Sequence, residues 1–156
     1  MSEGRSGWLR DPQDAVGNAV LEQARRVAHV YEALVPVAGA DAQVAHCFAE
    51  LAAEHRARAD AVAAELRRLG FLTQDVDPDR ELADTAVDRV RAWLADDPGR
   101  SLVEKRRDAE ASLRAAIAEA TAVELEPGLR GALEALDATA RAACQRLDAL
   151  AARRAS

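Results

Sequence analysis

The chain is predicted to be all-α: four long helices packed as one bundle, with a long crossover between the second and third that carries a short helix of its own. Three observations predict this. Within Asp41 to Leu69 the apolar residues Val44, Phe48, Leu51, Val62, Leu66 and Leu69 recur at steps of three, four and eleven, which lines them up on one helical face. Hydrophobic residues make up 49% of the 156-residue chain but aromatics only 3%. A core of Ala, Leu and Val suits close helix packing and suits a β-sandwich badly. Gly and Pro gather at a handful of sites and divide the chain into segments of helical length.

Each element has its own signals. The first helix begins near Asp11-Pro12, because Pro is well tolerated at a first helical position. Its stripe is Val16, Val20, Ala24, Val27, Tyr31 and Leu34, and Pro36 and Gly39 end it. The short connection to Asp41 forces an antiparallel hairpin. Asp41 caps the second helix, and Gly70 stands where a left-handed C-terminal cap is wanted. At about 1.5 Å per residue this helix runs roughly 40 Å. The link FLTQDVDPDR follows, then a short helix over Glu81–Ala95 with Leu82, Val87, Val90, Trp93 and Leu94, stopped by Asp97-Pro98-Gly99. The third long helix is expected from Ser101 to about Glu124, opened by a Ser101/Glu104 capping box, with Leu102, Val103, Leu113, Ile117 and Ala120 inward. Pro127-Gly128 makes the next turn. The fourth helix runs to about Arg153 on Leu129, Leu133, Leu136, Ala140, Ala143, Leu147 and Leu150. The link between the hairpins is long enough to travel the whole bundle, so the second and third helices are expected to run parallel. Residues 1–13 read as a loose arm with Trp8 as an anchor, and 14–153 as one domain.

The net charge of −6 and the interleaving of Arg with Asp and Glu point to solvated helix faces, not to a nucleic-acid footprint. No apolar run approaches the roughly 18 residues of a membrane span, and the N-terminus lacks the apolar core of a secretory signal. Two cysteines, Cys47 and Cys144, are too few for a disulfide framework, so a cytoplasmic location is the expectation. The Ala/Arg bias suggests a GC-rich bacterial genome. No glycine-rich phosphate loop, nucleophile elbow or triad spacing occurs.

Tyr31 late in the first helix, then Phe48, Leu51, Ala52 and Glu54, then Glu65-Leu66-Arg67 with Leu69-Gly70, form a recurring pattern, continued by Leu102 and Glu104. Over about residues 14–152 it resembles a family of small bacterial four-helix proteins of unknown function in the rubrerythrin/ferritin-like superfamily. The resemblance implies a ferritin-like bundle and self-association, not a reaction. Two departures concern the metal site. The acidic cluster expected after Glu104 reads Lys105-Arg106-Arg107-Asp108-Ala109-Glu110, and Cys144-Gln145 stand where a late histidine is often found.

Di-iron bundles take a Glu from each of two helices and a Glu-x-x-His from each of the other two, all pointing inward. This chain has no Glu-x-x-His, and the adjacent Glu54 and His55 diverge at about 100° per residue. Glu22, Glu32, Glu50 and Glu104 point away from their stripes, and Glu134 and Asp137 flank or oppose theirs. Only His55 and Glu110 remain inward, at similar levels if their helices run parallel. The bland reading is a buried polar pair that fixes helix register. The sharper one is a mononuclear metal or small-ligand site, with His55, Glu54 and Glu110 as candidate ligands and iron or manganese as the metal. Tyr31 is placed about 14 Å along the axis from His55 and is expected not to touch the pair. His29 and His46 are expected at the surface, and Cys47 and Cys144 as inert thiols beside the core. The leading expectation is a non-enzymatic structural or interaction module, a homodimer or larger, without a cofactor. Its candidate partner surfaces are Phe71-Leu72 and Trp93-Leu94.

Overall fold

A computed structural model describes residues 10–38, 41–73 and 98–155. These residues form four α-helices and, among them, no strand: α1 (Pro12–Leu34), α2 (Ala42–Arg68), α3 (Pro98–Thr121) and α4 (Pro127–Ala155). The expected short helix over 81–95 and the anchoring role of Trp8 lie outside the described residues.

Helix starts follow a common local logic. At α1 the Asp11 carboxylate accepts the Gln13 N–H at 2.8 Å while Pro12 opens the helix. At α2 Asp41 accepts from the N–H groups of Gln43 and Val44 at 3.1 and 3.2 Å. At α4 Glu126 accepts from Gly128 and Leu129 at 2.9 and 3.4 Å, ahead of which Pro127 has no N–H to satisfy. The end of α2 is a Schellman motif. Gly70 takes φ +82°, its N–H reaches the Arg67 carbonyl at 2.9 Å, and the Phe71 N–H reaches the Leu66 carbonyl at 2.9 Å. One boundary departs from expectation. The sequence pattern makes Pro98-Gly99 a stop, but α3 begins at Pro98, so Ser101 lies within the helix and cannot be its N-cap. Pro is compatible with a first helical turn, which is why the same dipeptide can close one segment or open the next.

The pairing gives each helix its direction. Gln13 of α1 accepts the Glu126 N–H at 2.6 Å, Gln23 meets Ser112 at 3.2 Å, and Tyr31 meets Glu110 at 2.7 Å, so α1 and α3 lie side by side and antiparallel. Arg68 pairs with Glu126, Arg58 with Thr139 at 3.3 Å, and Arg146 with Glu54 at 3.2 Å, so α2 and α4 are antiparallel neighbours as well. With α1 antiparallel to both, α2 and α3 run parallel across the diagonal. The described chain leaves the bundle after α2 at one end and re-enters at Pro98 at the other.

The core lies along the shared axis. Leu51, Val62 and Leu66 of α2 meet Leu113 and Ile117 of α3 and Leu133, Leu136 and Leu147 of α4 in one buried cluster with Val20, Ala24 and Leu34 of α1. Each such leucine stabilises the fold by roughly 1.5–3 kcal/mol relative to leaving it in water. The alanines let helices approach closely. Gly17 takes this furthest: a β-carbon there would stand 2.6 Å from Leu66 Cδ2. The two buried aromatics among the described residues, Tyr31 and Phe48, pack ring to ring at 5.4 Å in a tilted arrangement.

Candidate functional site

Two charged residues are buried completely among the described residues, and they meet. His55 of α2 and Glu110 of α3 are both 0% exposed. His55 Nε2 lies 2.9 Å from one Glu110 oxygen and 3.0 Å from the other. His55 Nδ1 lies 2.8 Å from the Leu51 carbonyl, one turn back in its own helix. A carbonyl only accepts, so Nδ1 carries a hydrogen and donates it. One further hydrogen then lies between Nε2 and the carboxylate, and the pair is neutral as a whole. Burial alone pushes the imidazole down, but the hydrogen bond and charge of Glu110, with the Leu51 carbonyl, hold His55 above its ordinary value.

Tyr31 completes the cluster. Its hydroxyl donates to Glu110 Oε1 at 2.7 Å, and its ring lies 5.6 Å from the His55 ring, centroid to centroid. Burial, then the Glu110 charge and hydrogen bond, push the phenol far above its usual range, so it stays protonated and serves as a donor. This corrects the expectation that Tyr31 stands clear of the pair. Axial rise per residue gives the level of a Cα atom, but helical side chains lean toward the N-terminus. In antiparallel α1 and α2 that lean carries Tyr31 and His55 toward one another, and the phenol is long enough to reach Glu110 between them.

Arg106, one turn before Glu110, is the residue that periodicity should have exposed. It lies seven positions before Leu113 and four after Leu102, on the buried stripe of α3. Its guanidinium sits over the Tyr31 ring at 5.9 Å from the centroid. Burial pushes the guanidinium below its ordinary value, against the opposing pull of Tyr31 and Glu110. Its Nε is buried and makes no hydrogen bond among the described residues.

The other candidates lie elsewhere. Glu54 is on the outer face of α2, where Arg146 binds it at 3.2 Å, so it does not join His55 and Glu110 as a third ligand. Among the described residues no three His, Cys, Asp or Glu side chains gather in a metal-holding group. His46 is exposed and pairs with Glu50 at 3.0 Å. His29 is half-buried with Nε2 enclosed and unpartnered, not the plain surface residue expected. Cys47 is buried and Cys144 half-buried, both free, and burial raises both thiols. A surface groove of about 430 Å³ between α3 and α4 is lined by Arg114, Thr121, Glu134, Asp137 and Arg141, away from the cluster. Asp137 already pairs there with Arg114 at 3.1 Å and Arg141 at 3.6 Å.

No described helix is long and apolar enough to cross a membrane. Comparison with family models, with curated proteins and with solved structures gave no match to the chain.

Proposed function

We propose that the chain is a ferritin-like bundle that acts as a non-enzymatic structural or interaction module, with a self-satisfied polar cluster at the position where such bundles hold metal. One observation carries the reading. Tyr31, His55 and Glu110 use one another's hydrogen-bonding groups, and Nδ1 of His55 is taken by Leu51. A cluster of this kind fixes register among α1, α2 and α3, because sliding any one of them by a turn strands a buried polar group. The parallel course of α2 and α3 supports the ferritin-like assignment. Self-association draws support from Leu72, 88% exposed at the end of α2, whose backbone carbonyl is tied to Asn18 at 3.2 Å.

Sedimentation equilibrium at micromolar concentration tests the module reading. A dimer or larger species is expected, and a strictly monomeric protein overturns the self-association. The rival reading is a metal-dependent oxidoreductase or ferroxidase-like protein using iron or manganese. It is favoured by the Nδ1–carbonyl bond of His55, the way ligand imidazoles are commonly oriented. Metal analysis after purification without chelator separates the two. Stoichiometric metal that disappears in His55→Ala establishes the rival; its absence from both proteins supports the module.

A further inference from the structure

The geometry points to Arg106 as a binding site for a singly charged anion, a carboxylate by preference, that completes the charge of the buried cluster. Proton counting leads there. Tyr31 is neutral, and His55 with Glu110 sums to zero whether the shared hydrogen resides on nitrogen or oxygen. Arg106 adds one positive charge that nothing in the cluster balances. Glu110 attracts it through charge, but both its oxygens already face the imidazole and one also accepts from Tyr31.

The arginines around it behave differently. Arg107 holds Asp148 at 2.9 Å, Arg114 holds Asp137 at 3.1 Å, and Arg146 holds Glu54 at 3.2 Å. Each of these three already has a carboxylate. Arg106, on the buried stripe, has an enclosed Nε–H with no acceptor among the described residues. A buried donor without a partner costs free energy, and in native proteins it commonly marks water or an ion. The single excess charge selects a monoanion, since a dianion would leave the site negative. The planar guanidinium matches a carboxylate in two parallel hydrogen bonds. Arg106 is half-buried, so part of the residue is open to solvent while its Nε is enclosed. The Tyr31 face beneath it holds the guanidinium in place.

The test is thermal unfolding of the full chain at pH 7 and constant ionic strength, with sodium acetate replacing sodium fluoride stepwise. Specific binding to the folded state raises Tm along a saturating curve, by roughly 2–4 °C for a chain of this size when binding contributes about 1 kcal/mol. Arg106→Met is expected to abolish the response. A linear rise, or the same rise in Arg106→Met, overturns the assignment. A readout that needs no variant is the NMR shift of the His55 ring during the same titration. Saturable movement supports the site, and an unmoved His55 resonance overturns it. Neither measurement depends on oligomeric state or metal content, so failure here leaves the module reading separately testable.

Discussion

Tyr31 differs from phenylalanine by one oxygen atom, and in this core that atom donates to a buried carboxylate. Tyr31→Phe keeps the ring and its packing on Phe48 but leaves Glu110 Oε1 short of a donor. Hydrogen bonds to charged groups contribute about 1.5–3 kcal/mol, so urea unfolding should show a loss of that order. A change under about 0.5 kcal/mol, the ordinary range for a neutral surface substitution, would mean that the phenol does not anchor Glu110. His55 makes a second prediction. Its folded value is raised above the unfolded one near 6.5, so the folded state retains the proton longer. The stabilisation is therefore complete below about pH 6.5 and is lost as pH rises through the folded value. Urea unfolding between pH 5.5 and 8, below the ordinary thiol range, should show stability declining above about 6.5. Replacing both partners, His55→Leu with Glu110→Leu, should flatten that slope; the same slope in the double variant would assign it to other groups. The pair itself was legible in the sequence as two inward polar residues on parallel helices. Tyr31 was not, because a count of axial rise takes no account of side-chain lean. Arg106 beside Lys105 and Arg107 reads as part of a solvated run, although its position on the Leu113 stripe places it inside.

The stripes, the hairpin turns and the ends of α1 and α2 could be read from period and punctuation, because a buried helical face recurs every 3.6 residues and because Asp11, Asp41 and Gly70 each do local work that few other residues can do. The start of α3 could not, since Pro98 is equally suited to stopping one segment and opening another. Gly70 offers a clean test at this scale. A β-carbon there meets nothing within 4 Å, so Gly70→Ala adds no clash. What it adds is the steric cost of a left-handed backbone at φ +82°, about 1–2 kcal/mol. Gly70→Asn should cost less, because Asn tolerates that region better. Denaturant midpoints for the two variants provide the comparison. Equal stability of Gly70→Ala and the native chain would show that the Schellman motif does not persist in solution.

At the scale of the molecule, the parallel course of α2 and α3 sets a length that no short turn can meet. His55 and Glu110 face one another, so Pro98 lies level with a point near the start of α2, while the exit from α2 follows Arg68. At about 1.5 Å per residue the two ends are separated by roughly 35–40 Å. Leu72 is tied to Asn18 at the exit end, and from there Thr73 and four glycines, fully extended, reach at most about 20 Å. A variant in which four glycines replace residues 74–97 therefore cannot form the same arrangement. It can pair its hairpins only with α2 and α3 antiparallel, which separates Glu110 from both His55 and Tyr31 and leaves the carboxylate buried without its donors. A Gly/Ser linker of about 24 residues has an r.m.s. span near 25–30 Å and can stretch to the required length. The longer variant should retain cooperative unfolding and the His55 pH dependence. The shorter one should lose that dependence and melt broadly or at much lower temperature. Circular dichroism melts of both at pH 6 and 8 decide the matter: a four-glycine variant with the native pH response would show that the helices do not run in the directions described.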